Sequence, residues 1–307
     1  MDKIIVIVGP TAVGKTALSI ELAKALNGEV VNGDSMQVYK QLDIGTAKVT
    51  AEEAQGIPHH VLDICEVEEE FSASDFKEKA SQAIKDIIAR GKVPIVVGGT
   101  GLYVEGLLYD FHYSGEQSNA PLYRQQKEQE LTEIGPEQMW QQLKAVDPKA
   151  AQTIHPNNTR RVIRALEVTY ASGKPFSEND ANQKTPVYDA YVIGLNTDRG
   201  VLYERINQRV DMMLDKGILT EARMLFDKNF DSSVQSVRGI GYKEWFPMFK
   251  GDKTQEECIE TLKQNSRRYA KRQLTWFRNR IDGLVWYDLL AKDSIAAVIE
   301  DCQKFMK

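Results

Sequence analysis

The sequence predicts an α/β protein, a parallel sheet flanked by helices and interrupted by a helical insertion. Short β-branched runs alternate with amphipathic stretches through the first hundred residues, which is the pattern of a sheet covered on both faces. A polar, glutamine-rich stretch then breaks that alternation before a further strand resumes it. The first strand and first helix are joined by a glycine-rich turn, Gly9-Pro10-Thr11-Ala12-Val13-Gly14-Lys15-Thr16.

The run Ile4-Ile5-Val6-Ile7-Val8 predicts a strand over residues 3–8. The spacing of Leu18, Leu22 and Ala23 predicts a helix over 15–26. Strands follow over 29–32, 60–64 and 93–97, and helices over 73–90 and around 102–107. After about Phe111 the pattern turns helical, over 125–133, 136–144 and 158–172, with breaks at Asp147-Pro148 and His155-Pro156. A strand over 188–195 returns the chain to the sheet. Helices are expected over 199–216, 219–228, 234–240, 243–249 and 254–279, then a strand over 284–287 and a helix over 294–305. The domains read as 1–113, the first part of the core; 114–187, the helical insertion; and 188–307, the rest of the core with basic C-terminal helices.

The turn at 9–16 is G-x-x-x-x-G-K-T, a phosphate-cradling P-loop in the strand–turn–helix context that the motif requires. Its glycines let the backbone wrap phosphate oxygens and aim successive N–H groups inward. Lys15 adds a mobile positive charge, Thr16 a hydroxyl for a magnesium ion, and the following helix its positive end. A chance match to the four fixed positions is expected on the order of once per hundred chains of this length. The fold expected is therefore P-loop NTPase-like, a superfamily of nucleotide- and ATP-binding proteins.

Composition narrows the rest. At 307 residues, 42% hydrophobic and 27% charged, the chain matches an ordinary globular protein. It has no apolar run long enough to span a bilayer, and no signal-peptide layout follows Met1. Cys65, Cys258 and Cys302 lie far apart, which argues against zinc or a disulfide framework and for a cytoplasmic setting. No self-association motif stands out, so a monomer is the default. The net charge of −5 conceals an asymmetry: seven basic residues and no acidic one lie between Lys263 and Arg280, Arg268 and Arg272 among them. A second cluster is Arg160-Arg161-Val162-Ile163-Arg164. One strongly basic segment on a mildly acidic chain suits a selective polyanion binder, although the default reading of any one cluster is a solvated helix face.

A hydrolytic NTPase needs a carboxylate at the end of a second buried strand to hold magnesium. Here the strand over 93–97 ends in Gly98-Gly99-Thr100-Gly101, without one. Asp34 stands instead after the strand over 29–32. Its readings are a general base or substrate contact, or a turn aspartate. The glycines at 98–101 suit close approach to a flat or anionic ligand, or a crowded strand-to-helix turn. His59 and His60 are adjacent on a strand, point to opposite faces and read as structural. Tyr269, Trp276 and Phe277 read as packing residues among the arginines of the late helix.

Together these segments resemble the bacterial tRNA dimethylallyltransferases, the tRNA isopentenyltransferase family. The resemblance rests on residues 9–16, Asn32-Gly33-Asp34-Ser35-Met36-Gln37-Val38-Tyr39, Ile44-Gly45-Thr46-Ala47-Lys48 and Pro58-His59-His60. It continues through Gly98-Gly99-Thr100-Gly101-Leu102-Tyr103, Arg161 to Glu167, and Arg238-Gly239-Ile240-Gly241-Tyr242-Lys243. It implies transfer of a dimethylallyl group from dimethylallyl diphosphate to N6 of the adenosine 3′ of the anticodon, position 37 of tRNA, with Mg2+ assisting release of diphosphate. The P-loop would then grip a leaving group, and need not aim water at a γ-phosphate.

By the same resemblance Asp34 takes the amine proton, Thr16 holds magnesium or the diphosphate, and Arg209 helps to bind the diphosphate. Thr100 lies beside the target base. Ser35, Met36, Gln37, the run Arg160, Arg161 and Arg164, and the segment from Arg238 to Lys243 would contact the tRNA anticodon stem-loop; from the charge of the late helix, Arg268 and Arg272 are expected to contact it too. The target base is flipped out of its loop to reach such a pocket. Some relatives carry a zinc finger; with no paired cysteines, this chain is expected to bind tRNA without zinc. Where the family often has Gln-Arg, this chain has Arg160-Arg161. The alternatives are an adenylate isopentenyltransferase acting on a free nucleotide, a small-molecule P-loop kinase, and an RNA-binding partner with no chemistry.

Overall fold

The computed structural model describes residues 1–110, 120–179, 184–231 and 234–307. The chain divides into two compact units, Met1–Tyr109 with Pro186–Lys307, and Asp110–Thr185.

The larger unit is built on one six-stranded sheet with strands β1 (Lys3–Val8), β2 (Gly28–Asn32), β3 (His59–His60), β4 (Val93–Gly98), β5 (Asp189–Leu195) and β6 (Val285–Tyr287). Their spatial order is β3-β2-β4-β1-β5-β6, and every pairing is parallel. The apolar run of β1 occupies the centre, with Ile4 to Val8 wholly buried, as expected for a strand covered on both faces. Around the sheet stand α1 (Lys15–Leu26), α2 (Ala51–Ala54), α3 (Ala73–Ala89) and α4 (Gly101–Leu108). One apolar core joins Ile5 and Ile7 of β1 to Leu18 and Leu22 of α1.

The smaller unit is helical: α5 (Ala120–Val146), α6 (Pro148–Thr153), α7 (Thr159–Ser172) and α8 (Phe176–Asn179). Met139, Leu143, Val162 and Leu166 form its core. The chain breaks direction within α5 at Gly135 (φ 79°), followed by Pro136, so the two helices expected over 125–144 are there with a kink between them. The break expected at Asp147-Pro148 separates α5 from α6 and also caps α6: the Asp147 carboxylate accepts from the Ala150 N–H at 3.0 Å, and proline occupies the first turn. The expected boundary at 113/114 falls outside the described residues.

The larger unit then resumes with α9 (Arg199–Asp215), α10 (Ile218–Asp227), α11 (Phe246–Phe249), α12 (Gln255–Arg280) and α13 (Ser294–Met306). Three expectations need correction. The strand expected over 60–64 stops at His60, because Val61 and Asp63 adopt positive φ. The helix expected over 234–240 is only a 3-10 turn at Ser236–Arg238; the chain leaves helical geometry at Gly239, with φ −55° and ψ 139°. The helix expected over 243–249 is the single turn of α11, opening at Phe246 with Pro247 in its first turn.

Candidate active site

The crevice lies beyond the carboxyl ends of β1, β2 and β4, where an open parallel sheet presents its loops. The loop between β1 and α1 makes an abrupt turn, with positive φ at Gly9 (153°), Ala12 (63°) and Gly14 (106°). A Cβ on Gly9 would stand 2.7 Å from the Leu195 carbonyl oxygen at the end of β5, so the close approach admits only glycine. No side chain caps α1, which leaves its first N–H groups free for an anion.

Two neighbouring compartments occupy the crevice. One, of about 380 Å³, is lined by the backbone from Thr11 to Thr16, with Gly98, Gly99 and Gln273 across from it. The other, of about 330 Å³, is lined by Met36, Gly45, Met213, Arg238, Gly239 and Leu262. They share five residues: Thr11, Asp34, Thr46, Arg209 and Tyr269. Asp34 and Arg209, far apart in sequence, thus meet where the space along the P-loop adjoins a more apolar one.

The charges of the first compartment are strongly coupled. Lys15 Nζ donates to the Gly9 carbonyl at 3.0 Å and the Pro10 carbonyl at 2.7 Å. Burial lowers its pKa to about 7, the Arg209 guanidinium adds to that, and Asp34 pulls the other way. Burial likewise draws the Arg209 pKa down against the opposing Asp34 charge, and Arg209 Nη1 donates to the Thr11 hydroxyl at 2.9 Å. Two desolvated cations with one nearby carboxylate make a cradle short of negative charge. Thr16 lies exposed on the wall of this space.

Asp34 also acts within its own loop. Its Oδ1 accepts from the Met36 N–H at 2.8 Å, while its own N–H donates to Asn32 Oδ1 at 3.1 Å. The turn reading is seen directly, and the same residue also faces both compartments. Thr100 holds the same loop from β4, its hydroxyl accepting from the Ser35 N–H at 3.0 Å and donating to Ser35 Oγ at 3.3 Å. Thr100 lines neither compartment, whereas Ser35 and Met36 line the second and Gln37 the first. Gln37 Nε2 donates to the Thr46 carbonyl at 3.1 Å and so ties the two loops together.

The glycines at 98–101 are explained by protein contacts. A Cβ on Gly98 would stand 2.2 Å from the Gly33 carbonyl oxygen, on Gly99 2.3 Å from Gln273 Nε2, and on Gly101 2.2 Å from the Trp276 indole. Crowding by neighbouring backbone and by α12 accounts for each.

Sequence reasoning missed two members of the site. Gln273, buried on α12, donates to the Gly99 carbonyl and accepts from the Thr11 N–H, each at 2.9 Å. Tyr269, read as packing, lines both compartments, and burial pushes its phenol pKa up, keeping it a hydrogen-bond donor. Their spacing of four residues was the available signal, since it places both on one face of α12.

The expected RNA contacts separate into two groups. Arg238 and Lys243 are exposed at the second compartment, which Arg272 also lines. Arg268 and Arg272 line a groove on α12 with Lys271 and Arg280. Arg160, Arg161 and Arg164 lie on α7 in the smaller unit; the first two are exposed, and Arg164 pairs with Glu167 at 3.0 Å. Cys65, Cys258 and Cys302 are all free and buried. Among the described residues no helix is long and apolar enough to cross a membrane.

A family model described as IPP transferase matches residues 37–280. The chain is 53% identical over 287 residues to a tRNA dimethylallyltransferase of Bacillus pumilus, covering 93% of this chain and 89% of that one. It is 50% identical to the tRNA dimethylallyltransferase of Bacillus subtilis, covering 93% and 90%. A crystal structure of a tRNA delta(2)-isopentenylpyrophosphate transferase from Staphylococcus epidermidis superposes with a TM-score of 0.72 at 44% identity, covering 100% of this chain and 99% of that one. A eukaryotic dimethylallyltransferase acting on tRNA gives a TM-score of 0.85 at 36% identity, covering 100% and 80%.

Proposed function

The chain belongs to the IPP transferase family, and on that premise we propose that it is a tRNA dimethylallyltransferase, transferring a dimethylallyl group from dimethylallyl diphosphate to N6 of adenosine 37 in the anticodon loop. The observation that carries this reading is Asp34, a carboxylate common to the phosphate compartment and the one beside it.

The diphosphate lies against the N–H groups of the P-loop and the start of α1, with Lys15 and Arg209 balancing its charge. As the allylic C–O bond breaks, negative charge builds on the departing diphosphate, where fixed N–H groups and cations stabilise it without reorganising. The flipped adenine enters from the second compartment. Its exocyclic nitrogen is a weak nucleophile; it forms the new C–N bond, becomes cationic, and gives a proton to the Asp34 carboxylate. Thr100 acts at one remove, by holding Ser35 and hence the Asp34 loop.

Magnesium fits the donor set. Thr16 offers a hard hydroxyl oxygen on the phosphate wall, and among the described residues no three His, Cys, Asp or Glu side chains gather as a metal cage. That suits an ion drawing its other ligands from diphosphate and water. When bound it would neutralise charge on the leaving group. The RNA contacts we assign to Ser35, Met36, Gln37, Arg238, Lys243, Arg268, Arg272 and the arginines of α7. We further propose a cytoplasmic setting, which the three free cysteines suit, and a protein that acts as a monomer.

Incubation with magnesium, radiolabelled dimethylallyl diphosphate and either unmodified tRNA or AMP tests the reading. Label on an anticodon-loop adenosine and none on AMP is expected. Label on AMP alone selects the free-nucleotide reaction, and transfer to neither overturns the proposal.

A further inference from the structure

The acceptor side of the crevice is bounded by two loops with no hydrogen-bonded sheet to fix them, the turn at 43–46 and the segment at 239–242. Both present backbone to the compartment through Gly45, Thr46, Gly239 and Gly241. They touch closely: a Cβ on Gly241 would stand 2.8 Å from the Gly45 carbonyl oxygen, and one on Gly45 would stand 2.6 Å from the Tyr242 ring.

A single carboxylate from α10 joins them. Glu221 Oε2 accepts from the Asp43 N–H at 3.0 Å and the Ile44 N–H at 2.9 Å, and Oε1 accepts from the Gly45 N–H at 3.1 Å. The same Oε1 accepts the hydroxyl proton of Tyr242, whose ring is wholly buried. Three consecutive N–H groups converging on one anion resemble the backbone concavities that bind anionic ligands. Here the protein fills the concavity with its own side chain, more than 170 residues away in sequence. Burial, reinforced by Glu221, raises the Tyr242 pKa well above its ordinary value, so the phenol stays a donor.

We propose that Glu221 is a positioning residue for the acceptor compartment: it pins the 43–45 turn to Tyr242 and so sets the wall against which the incoming RNA base lies. This rests on the prenyl-transfer reading given above. Glu221 lines neither compartment, so it acts through Gly45, whose N–H it accepts, and touches no substrate. Its geometric effect falls on the acceptor side: Gly45 lines only the second compartment, and the phosphate cradle is held separately by Lys15, Arg209 and Gln273. Loss of the carboxylate leaves three N–H groups and one phenol without their acceptor.

The test is steady-state kinetics of Glu221→Ala, Glu221→Gln and Tyr242→Phe with dimethylallyl diphosphate and an anticodon stem-loop, alongside amide exchange at residues 43–45. Glu221→Ala is expected to raise KM for the RNA roughly tenfold, the scale of a lost charge-assisted hydrogen bond, with KM for the donor within about twofold. The amides of 43–45 should exchange faster. Glu221→Gln retains one acceptor oxygen and should recover part of the RNA affinity; Tyr242→Phe, which keeps the three N–H bonds, should be milder again. A lowered melting temperature with both KM values unmoved would mark a merely structural role and overturn the inference, as would an equal rise in both. Should Glu221→Ala fail to fold, unchanged RNA KM in both Glu221→Gln and Tyr242→Phe overturns it equally. Absence of transfer by the wild-type protein would overturn the functional reading and this inference with it; transfer with unchanged constants in the variants sinks only the inference.

Discussion

The side chain of Gln273 bridges the Thr11 N–H and the Gly99 carbonyl, each at 2.9 Å, joining the phosphate loop to the loop that carries Thr100. Both backbone groups have their partner in this one buried amide. Gln273→Ala leaves them unsatisfied, at about 1–3 kcal/mol for a buried polar group left without a partner. Titration calorimetry with the donor should show weakened affinity, together with a lower melting temperature. Gly99→Ala should do the same by displacing the amide, since its Cβ would meet Nε2 at 2.3 Å.

Lys15 predicts a pH dependence. Burial lowers its pKa to about 7, so above that pH the unliganded protein holds a neutral amine. Diphosphate binding then has to restore the proton, and donor affinity should fall as pH rises above about 7. For stability the sign is opposite: the folded pKa lies below the unfolded one, so burying the charged amine opposes folding at low pH, and this penalty fades as pH rises from about 7 towards 10.5. Lys15→Ala should raise the donor KM roughly tenfold or more, abolish the pH slope and leave RNA affinity within about twofold. Donor binding measured by fluorescence from pH 6 to 9 would show this.

Arg268 and Arg272 stand one turn apart on the exposed face of α12. Reversing both charges should weaken RNA binding and flatten the dependence of log K on log salt, by roughly 0.7–0.9 for each phosphate that is no longer neutralised. Filter binding at four salt concentrations measures the slope; an unchanged slope would mark both as solvated surface.

Glu29 is a buried carboxylate held by three side chains: Lys92 Nζ at 2.8 Å, His60 Nε2 at 2.6 Å, and Arg90. Burial alone would push its pKa up, but the hydrogen bonds from Lys92, His60 and Arg90 outweigh that and hold it at about 2. Its folded pKa thus lies below the unfolded value, so its stabilisation is complete above about 4.5 and is lost as pH falls towards 2. Glu29→Gln should lower the melting temperature at pH 7, and the gap to wild type should narrow towards pH 3 in a thermal scan.

What the sequence disclosed depended on how local the cause was. The strands over 3–8 and 93–97 and the first helix were legible because β-branched runs buried on both faces and fixed glycine spacing are local signals. The short β3 was overextended because positive φ at Val61 leaves no trace in the apolar pattern around it. Residues 234–240 carry helical spacing, yet Gly239 packs against the Met36 thioether, with a Cβ there only 2.4 Å from its methyl carbon. The contacts of Gln273 and Glu221 were illegible for the same reason, although Gln273 shares a helix face with Tyr269. Their partners, Thr11 and Gly45, lie 262 and 176 residues away, and an exposed-looking glutamine or glutamate on an amphipathic helix gives no sign of them.

Asp34 carries the central claim, and Asp34→Asn separates its two duties. The amide oxygen can still accept the Met36 N–H, so the turn survives, while the base is gone. Single-turnover transfer from dimethylallyl diphosphate to an anticodon stem-loop, with both affinities measured in parallel, is the most direct test. The rate should fall by roughly 10²–10⁴-fold, the usual contribution of a positioned general base, with both affinities within about twofold of wild type. A transfer rate equal to that of the wild type would contradict the assignment of Asp34 as the proton acceptor.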